Sequence, residues 1–150
     1  AAGGGILPVS FVAGKKEVID VLTPGSEGST FGGYPLASVV GVYAIKVLED
    51  QRLAENAKIR GAQLMGHFEN MKLEFPDKIK DVRGKGLLTA FEMHDDPKLD
   101  GHHVSVELLK EGIYAKETHK TTVRIAPALT IEAWQIDNIA NAIYNVIKKI

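Results

Sequence analysis

The sequence predicts a chain of the α/β and α+β classes in two parts, the end of one sheet domain at residues 1–50 and a compact α+β domain at residues 51–150. From about residue 50 onward, helical and strand patterns follow the order helix, strands, helix, strands, helix. A glycine-rich segment, GSEGSTFGG, separates two patterned segments nearer the front. Directly after this segment, the apolar residues of positions 34–50 recur at spacings of three and four. This spacing predicts an amphipathic helix that joins the two parts of the chain.

The front part is predicted to contain one strand and two helices. The strand is the apolar, β-branched segment Ile6–Ala13, whose proline near the start is typical of a sheet edge. A short helix is predicted over Lys15–Leu22, because a Thr-Pro-Gly sequence follows it. The helix over Tyr34–Asp50 is expected to bury one apolar face.

The back part begins with a helix and two strands. The predicted helix ends before Pro76, and its apolar side is formed by Leu53, Ala57, Leu64, Phe68 and Met71. From Ile79 the segments IKDVR and LLTAFEM have the composition of strands. The glycines between them predict a turn or a bulge.

The last third is predicted to hold a loop, two helices and two short strands. A polar loop at Asp95–Gly101 precedes a helix at His103–Glu111, which Gly112 ends. Short strands at Ile113–Lys116 and Thr122–Ala126 flank the turn THKT. Thr130 is expected to cap the last helix. The buried stripe of that helix is predicted to be Ile136, Ile139, Ile143, Val146 and Ile150.

Composition excludes whole classes of protein. The 150 residues carry a formal net charge of -1, which lacks the basic field that a general nucleic-acid binder needs. No apolar run approaches the roughly 20 residues of a transmembrane helix. The absence of cysteine excludes disulfides and thiolate metal sites, and it permits a reducing compartment.

The N-terminus, AAGGGILPVSFVAG, has no start methionine and none of the basic residues that open a signal peptide. It has the pattern of a loop that leads into the first strand. We therefore expect the sequence to be the back portion of a longer one.

The glycine-rich segment is the first candidate for a binding site. The hydroxyls of Ser26, Ser29 and Thr30, together with free N–H groups, suit a phosphate at the start of the following helix. The alternative is a tight loop that uses glycine for positive φ angles. The residues alone leave both interpretations open.

Arg124 is the second candidate. It stands in V-R-I-A-P on a predicted strand, where apolar neighbours hold its stem and leave the guanidinium to point away from the sheet. A guanidinium offers two parallel donors to a carboxylate ligand. A structural ion pair is the equal alternative.

The other polar residues are weaker candidates. His119 in KETHKTT is interpreted as a turn residue, and the pair His102-His103 as a helix start, since no second pair at metal-ligand spacing exists. Arg83-Gly84-Lys85-Gly86 is interpreted as a bulged strand with solvated basic side chains. Tyr34 either stacks on a ligand or fills the start of its helix.

Taken together, these motifs resemble a known family. GSEGSTFGGYPLA is similar to the loop and helix of the class III, fold-type I, pyridoxal-phosphate aminotransferases. VRGKGLL and AKETHKTTVRIAPALTI resemble the ornithine aminotransferase branch of that family in particular. The resemblance extends over nearly the whole chain.

The resemblance implies a fold and a set of sites. Residues 1–50, with the interdomain helix at 34–50, correspond to the end of the large cofactor-binding domain, and residues 51–150 to the C-terminal small domain. Ser29 and Thr30 then contact the phosphate of the pyridoxal phosphate bound by the neighbouring subunit of a homodimer or larger homo-oligomer. Arg124 then pairs with a carboxylate of the amino acid or 2-oxo acid substrate. No metal, nucleic acid or membrane is implied.

Two departures from the family pattern concern the site. Tyr34 stands where the family usually has asparagine, which puts any contact of that side chain in doubt. The lysine that forms the Schiff base with the cofactor is expected just before Ala1, because the family places it directly before a segment like Ala2–Gly5. A break at a cofactor-modified lysine is one explanation, so no catalytic residue is assigned within this chain.

The activity implied is transfer of the δ-amino group of L-ornithine to 2-oxoglutarate, giving glutamate 5-semialdehyde and glutamate. The alternative substrates are acetylornithine or another ω-amino acid. A fragment that only supports cofactor binding or interaction is the non-enzyme alternative. The compartment expected is the cytoplasm, or otherwise the mitochondrial matrix.

Overall fold

The computed structural model describes residues 2–96 and 100–150. In these residues we number five helices and four strands in chain order. The helices are α1 Lys16–Ile19, α2 Pro35–Asp50, α3 Leu53–Glu74, α4 Gly101–Lys110 and α5 Ala133–Lys149. The strands are β1 Ile79–Lys85, β2 Leu88–Met93, β3 Lys116–Thr118 and β4 Thr122–Ile125. The mixed α/β composition predicted from the sequence is confirmed.

The chain divides into two compact units, which we describe separately as unit 1, Ala1–Arg52, and unit 2, Leu53–Ile150. Unit 1 contains α1 and α2, and unit 2 contains the other three helices and all four strands. None of the described helices is long and apolar enough to cross a membrane.

The strand predicted at Ile6–Ala13 is wrong. Residues 2–6 form turns, and residues 8–15 belong to no helix, strand or turn. A strand forms only where a neighbouring strand accepts and donates its backbone hydrogen bonds. The four described strands pair with one another and none pairs with this segment, so Ile6, Phe11 and Val12 stay exposed.

The helices of unit 1 match the prediction in place but not in burial. α1 is four residues long and so covers only part of Lys15–Leu22. α2 begins directly after Tyr34, with Pro35 at its first position, where a missing N–H costs nothing. The expected buried face is wrong, because Gly41 is the one buried residue among those described in α2.

Unit 2 is built on an antiparallel sheet with the strand order β1-β2-β4-β3. β1 and β2 form a hairpin that turns at Gly86 and Leu87, and Gly86 adopts a φ of 55°. The turn predicted from the glycines is therefore confirmed. A register shift lies between Ile79 and Asp81, away from the glycines.

One face of this sheet packs against α3 and α4, and α5 packs against those two helices. Phe68 of α3 and Phe91 of β2 are almost fully buried, and their rings meet edge to face with centroids 5.5 Å apart. α3 also approaches the hairpin turn closely: a Cβ atom on Gly61 would lie 2.1 Å from the carbonyl oxygen of Gly86. The side predicted for α3 is confirmed at Leu53, Leu64, Phe68 and Met71.

The turn between β3 and β4 corrects one predicted strand. β3 begins at Lys116, where the strand predicted at Ile113–Lys116 was expected to end. Thr118 pairs with Thr122, so the strands run up to the turn on both sides. The length of β3 is set by its pairing with β4, which residue types at 113–115 do not reveal.

The start of α5 corrects the predicted cap. Glu132, not Thr130, is the residue before the helix, and it forms a capping box with Gln135. The Glu132 N–H donates to Oε1 of Gln135 at 2.9 Å, and the Trp134 Nε1–H donates to Oε2 of Glu132 at 2.8 Å. The predicted stripe is buried at Ile136, Ile143 and Val146 and partly buried at Ile139 and Ile150.

α4 lies where the sequence predicts a helix, but it begins at Gly101, two residues before the predicted start at His103, and ends at Lys110. The side chain of Asp100 accepts a hydrogen bond from the His103 N–H at 2.8 Å, which caps the helix. Gly112 follows the helix with a φ of 80°. The middle of the predicted polar loop at Asp95–Gly101 lies outside the described residues.

Candidate functional site

Arg124 lies at the centre of the sheet face that carries no helix of unit 2. Val123 and Ile125, its neighbours on β4, are buried on the helix-covered face, so the side chain of Arg124 points the other way and is exposed. The alternation of V-R-I therefore positions Arg124 as the sequence predicted. Its strand is anchored by a core residue on either side.

The residues directly opposite Arg124 share its face. Ala90 of β2 is its partner on one side, and Lys116 of β3 is its partner on the other. Arg83 of β1 is the partner of Ala90. Because directly opposite residues point to the same face, one row across the sheet reads Arg83, Ala90, Arg124 and Lys116, with three cations and one small side chain.

The acidic residues next to this row are engaged by Arg83. Nη1 of Arg83 lies 2.9 Å from Oδ2 of Asp81 and 2.8 Å from Oε2 of Glu92, while Nη2 lies 3.3 Å from Oγ1 of Thr122. Lys80 donates to the other oxygen of Glu92 at 2.7 Å. Arg83 is thus ion-paired within the sheet rather than only solvated. The bulge interpreted at Arg83-Gly84-Lys85-Gly86 is wrong, because Arg83, Gly84 and Lys85 pair in register with β2.

The pKa shifts follow these contacts. Hydrogen bonds from Lys80 and then Arg83 hold the pKa of Glu92 below its usual value. The hydrogen bond from Arg83 likewise lowers the pKa of Asp81. Both carboxylates stay ionised near neutral pH and remain bound to cations other than Arg124.

Arg124 itself has no ion-pair partner among the residues that the structure describes. This removes the alternative of an ion pair within the described chain. An exposed guanidinium on a strand with buried neighbours, without an ion pair to any described carboxylate, is suited to bind a carboxylate of a ligand.

The glycine-rich loop of unit 1 holds the second set of candidates. Ser29 and Thr30 are exposed and lie in a run of turns that ends at α2. The carbonyl of Ser29 accepts from the Gly32 N–H at 3.1 Å, and that of Phe31 accepts from the Tyr34 N–H at 3.1 Å. Gly25 and Gly33 adopt φ angles of 89° and 70°, so the positive φ angles expected of a tight loop are present.

This loop also presents donors suited to an anion. The N–H groups of Ser29, Thr30 and Phe31 donate to no backbone carbonyl among the described residues. Together with two exposed hydroxyls they form a local set of neutral donors, which is the chemistry that a phosphate group requires. The residues present therefore fit a phosphate group.

A cleft of about 470 Å³ lies beside the loop within unit 1. Ser29, Gly32 and Gly33 line it on one side, and residues of α2 line another. Tyr34 also lines the cleft and is half exposed. Thr30 is not among the residues that line this cleft.

The histidines behave as the sequence indicated. His119 is in the β3–β4 turn, with a φ of 52°. His102 and His103 lie in the first turn of α4, and Nδ1 of His102 is 3.5 Å from Oε1 of Glu117. No group of three metal-ligating side chains occurs in the part of the chain that the structure describes.

Sequence reasoning did not single out Lys116 as a neighbour of Arg124. The signal was present in the turn: Thr118 and Thr122 are the two ends of THKTT, and counting two residues outward from each end leads to Lys116 and Arg124. The sequence alone does not show which residues of the two strands are opposite, so the counting has no known starting pair. The structure gives this pair as Thr118 and Thr122.

Comparison with known proteins gives one family. A family model described as aminotransferase class-III matches residues 1–147. The ornithine aminotransferase of Staphylococcus carnosus is 44% identical over 146 residues, which is 97% of this chain and 35% of that protein. The mitochondrial ornithine aminotransferase of Arabidopsis thaliana is 36% identical over 150 residues, or 99% of this chain and 32% of that protein.

Solved structures give the same result. The acetylornithine aminotransferase of Elizabethkingia anophelis matches with a TM-score of 0.89 at 37% identity, over 99% of this chain and 37% of that one. The ornithine aminotransferase of Toxoplasma gondii matches with a TM-score of 0.89 at 36% identity, over 99% and 35%. This chain spans about a third of the length of these relatives.

Proposed function

Because this chain belongs to the class III aminotransferases, we propose that it is part of an enzyme that transfers the δ-amino group of L-ornithine to 2-oxoglutarate. The products are then glutamate 5-semialdehyde and glutamate. The observation that carries the proposal is Arg124, an exposed guanidinium without an ion-pair partner among the described residues, held on the open face of a well-packed sheet. Both amino-group donors and acceptors of this reaction carry a carboxylate that such a guanidinium binds.

Arg124 orients the substrate in this proposal. Two charge-assisted hydrogen bonds to one carboxylate fix both the position and the rotation of the substrate. Holding a reactant in its reactive geometry removes part of the entropic barrier. The buried neighbours Val123 and Ile125 fix the backbone of β4, so the point from which the side chain of Arg124 extends is set by the core.

Ser29 and Thr30 bind the phosphate of pyridoxal 5'-phosphate in this proposal. Their hydroxyls and the free N–H groups of the loop donate hydrogen bonds without adding charge. When bound, pyridoxal phosphate supplies an electron sink for the carbon that loses or gains the proton. We further propose that the phosphate belongs to the neighbouring subunit of a homodimer or larger homo-oligomer, so that this loop completes a partner's site.

Replacement of Arg124 in the enzyme of natural length tests the substrate role. We expect Arg124→Ala to raise KM for ornithine and 2-oxoglutarate about ten- to hundredfold. This factor corresponds to the free energy of a hydrogen bond to a charged group. Arg124→Lys keeps the positive charge but lacks the two parallel N–H donors of the guanidinium, so its KM should lie between those of the natural enzyme and Arg124→Ala. Retention of bound pyridoxal phosphate, followed by its visible absorbance, should not change. An unchanged KM in Arg124→Ala would remove this role.

The phosphate role needs a different measurement. We expect Thr30→Ala and Ser29→Ala to increase the dissociation constant for pyridoxal phosphate while KM for ornithine at saturating cofactor changes little. Light scattering of the same samples reports whether the enzyme is a homo-oligomer. Ser26→Ala, in the same loop but bonded to the Thr23 carbonyl at 2.8 Å, is the matched control.

A second substrate has support of its own. The acetylornithine aminotransferase of Elizabethkingia anophelis matches this chain as well as the Toxoplasma gondii ornithine enzyme does. A panel of ornithine, acetylornithine and other ω-amino acids, compared by kcat/KM, distinguishes the two. If no amine in the panel is transferred, the alternative of a fragment that only supports cofactor binding gains support.

The compartment proposed is the cytoplasm, as for a bacterial enzyme, with the mitochondrial matrix as the alternative. The relatives include bacterial proteins and a plant protein named as mitochondrial. Fractionation of cells that express the natural protein decides between them.

A further inference from the structure

We propose that Lys116 is a second carboxylate-binding residue, which shares the carboxylate of the substrate with Arg124 and so helps to select substrates that carry one. The proposal rests on the proposed function, because it names a further residue of the same substrate site. Three observations support it. β3 and β4 place Lys116 directly opposite Arg124, and both side chains are exposed. The acidic residues in the adjacent row of the sheet form ion pairs with other cations.

Lys116 and Arg124 are directly opposite on neighbouring antiparallel strands. Residues in this relation have Cβ atoms about 4.5–5.5 Å apart and point to the same face. Two like charges in that position repel and destabilise the pair. A sheet that retains both cations side by side is therefore suited to an anion that binds between them.

The described part of the sheet offers no such anion. Asp81 and Glu92, the acidic residues in the adjacent row, are bound by Arg83 and Lys80. Glu117 points to the opposite face, where it lies 3.5 Å from His102, and the charge of Lys116 attracts it without forming an ion pair. Within the described residues neither Lys116 nor Arg124 has an ion-pair partner.

The two ends of the cation row differ in their ion pairs. Arg83 is neutralised at one end, and the small side chain of Ala90 separates it from Arg124. Among the described residues, the cations that form no ion pair therefore lie at the Arg124 and Lys116 end of the row. A carboxylate that receives the two parallel N–H groups of Arg124 still has acceptor capacity left for the ammonium of Lys116.

Lys85 is the matched control for this proposal. It lies on β1 two residues beyond Arg83, which places it on the same face, and no described residue forms an ion pair with it. One strand, β2, separates it from β4, so it lies farther from Arg124 than Lys116 does. At physiological ionic strength a charge beyond about 8 Å is largely screened.

The experiment compares Lys116→Ala, Lys116→Arg and Lys85→Ala in the enzyme of natural length. We expect Lys116→Ala to raise KM for ornithine and 2-oxoglutarate about two- to fivefold with kcat unchanged, the size of an exposed charge interaction. Lys116→Arg should restore KM to within about twofold. Lys85→Ala should leave KM unchanged. A KM for Lys116→Ala equal to that of Lys85→Ala would overturn the proposal.

A carboxylate-free diamine separates binding from structure. If the enzyme transfers an amino group from 1,4-diaminobutane, Lys116→Ala should leave kcat/KM for that substrate unchanged. An equal loss with the diamine and with ornithine would mean a structural role and would also overturn the proposal.

Glutarate, a dicarboxylate with no group to transfer, keeps the test independent of activity. We expect calorimetry to give a two- to fivefold weaker dissociation constant for Lys116→Ala than for the natural protein, about the effect of one exposed charge. If the natural enzyme transfers no amine but this difference is found, the proposed function fails and the carboxylate site remains. If amine transfer is found but glutarate affinity is the same in both, only the Lys116 proposal fails.

Discussion

Unit 1 and unit 2 have similar apolar content along their chains but use it differently. Unit 2 buries a continuous core between its sheet and its three helices, with Phe68, Phe91 and Ile136 almost fully covered. In unit 1 the apolar side chains of α2 stay exposed: Leu36, Val39, Val42, Tyr43, Ile45, Val47 and Leu48. An amphipathic pattern predicts a helix in both places. Burial additionally requires a second surface, which unit 2 provides from its own residues.

The same difference applies to the candidate site residues: Arg124 lies on a strand with a packed core behind it, and Ser29 and Thr30 lie on an exposed loop. Arg124 is on a strand whose neighbours are locked in a core, so its position is fixed by packing. Ser29 and Thr30 are on an exposed loop whose order depends on turns. We therefore expect substitutions in unit 2 to affect folding strongly and comparable substitutions in unit 1 to affect it little.

The largest effect expected is the loss of a core aromatic ring. Phe68→Ala should lower the free energy of unfolding of this chain by about 3–5 kcal/mol, because the cavity beside Phe91 cannot fully collapse. Phe31→Ala, which removes the same atoms from an exposed position in unit 1, should change it by less than about 0.5 kcal/mol. Urea denaturation measures both. Equal losses in the two variants would contradict the comparison.

Two buried helical glycines give a second, smaller contrast. A Cβ atom on Gly61 would lie 2.1 Å from the Gly86 carbonyl, so Gly61→Ala should cost at least about 2 kcal/mol as α3 is pushed from the hairpin. A Cβ atom on Gly41 of α2 would meet Val9 at an ordinary 3.5 Å. Gly41→Ala should then be neutral or stabilising by up to about 1 kcal/mol through helix propensity.

Gly66 supplies the control within α3, because nothing lies within 4 Å of a Cβ atom placed there. Thermal unfolding of Gly66→Ala should show a midpoint equal to or higher than that of the natural chain. A loss of stability as large as that of Gly61→Ala would mean that the helix, and not its contact with the hairpin, is sensitive.

The smallest effect expected is a pH dependence within unit 2. Hydrogen bonds from His67 and then Gln63 on α3 lower the pKa of Asp137 on α5 from its ordinary value of 3.8. A carboxyl with a lowered pKa in the folded state contributes stability above its unfolded pKa and loses it as pH falls through the folded pKa. Arg60 adds a smaller attraction in the same direction.

The measurement compares the natural chain with Asp137→Asn by urea denaturation between pH 6 and pH 3. The difference in stability should be present at pH 6 and should shrink as the pH falls below 3.8. Asp77→Asn, at an exposed carboxylate with no described ion pair, should show no such trend. A difference that stays constant with pH would show that Asp137 acts through its shape and not its charge.

Much of unit 2 was predictable because its signals are local and repeated. The buried side of α3 follows from residues three and four apart, and the β1–β2 turn follows from its glycines. The wrong predictions concern features that depend on a segment distant in the sequence, which must pair with a strand or cover a helix face. The segment 6–13 has strand composition, but none of the described strands pairs with it. The apolar face of α2 has helix periodicity, but among its described residues only Gly41 is buried.

By itself the sequence determined the helices, the outward direction of Arg124 and the donor-rich loop at Ser29 and Thr30, because side-chain periodicity and glycine placement are properties of a single segment. Only the tertiary structure decided that Lys116 is opposite Arg124, that Arg83 takes both Asp81 and Glu92, and that Gly61 contacts Gly86. These are relations between segments. They depend on strand register and helix position, which packing sets once the core is formed.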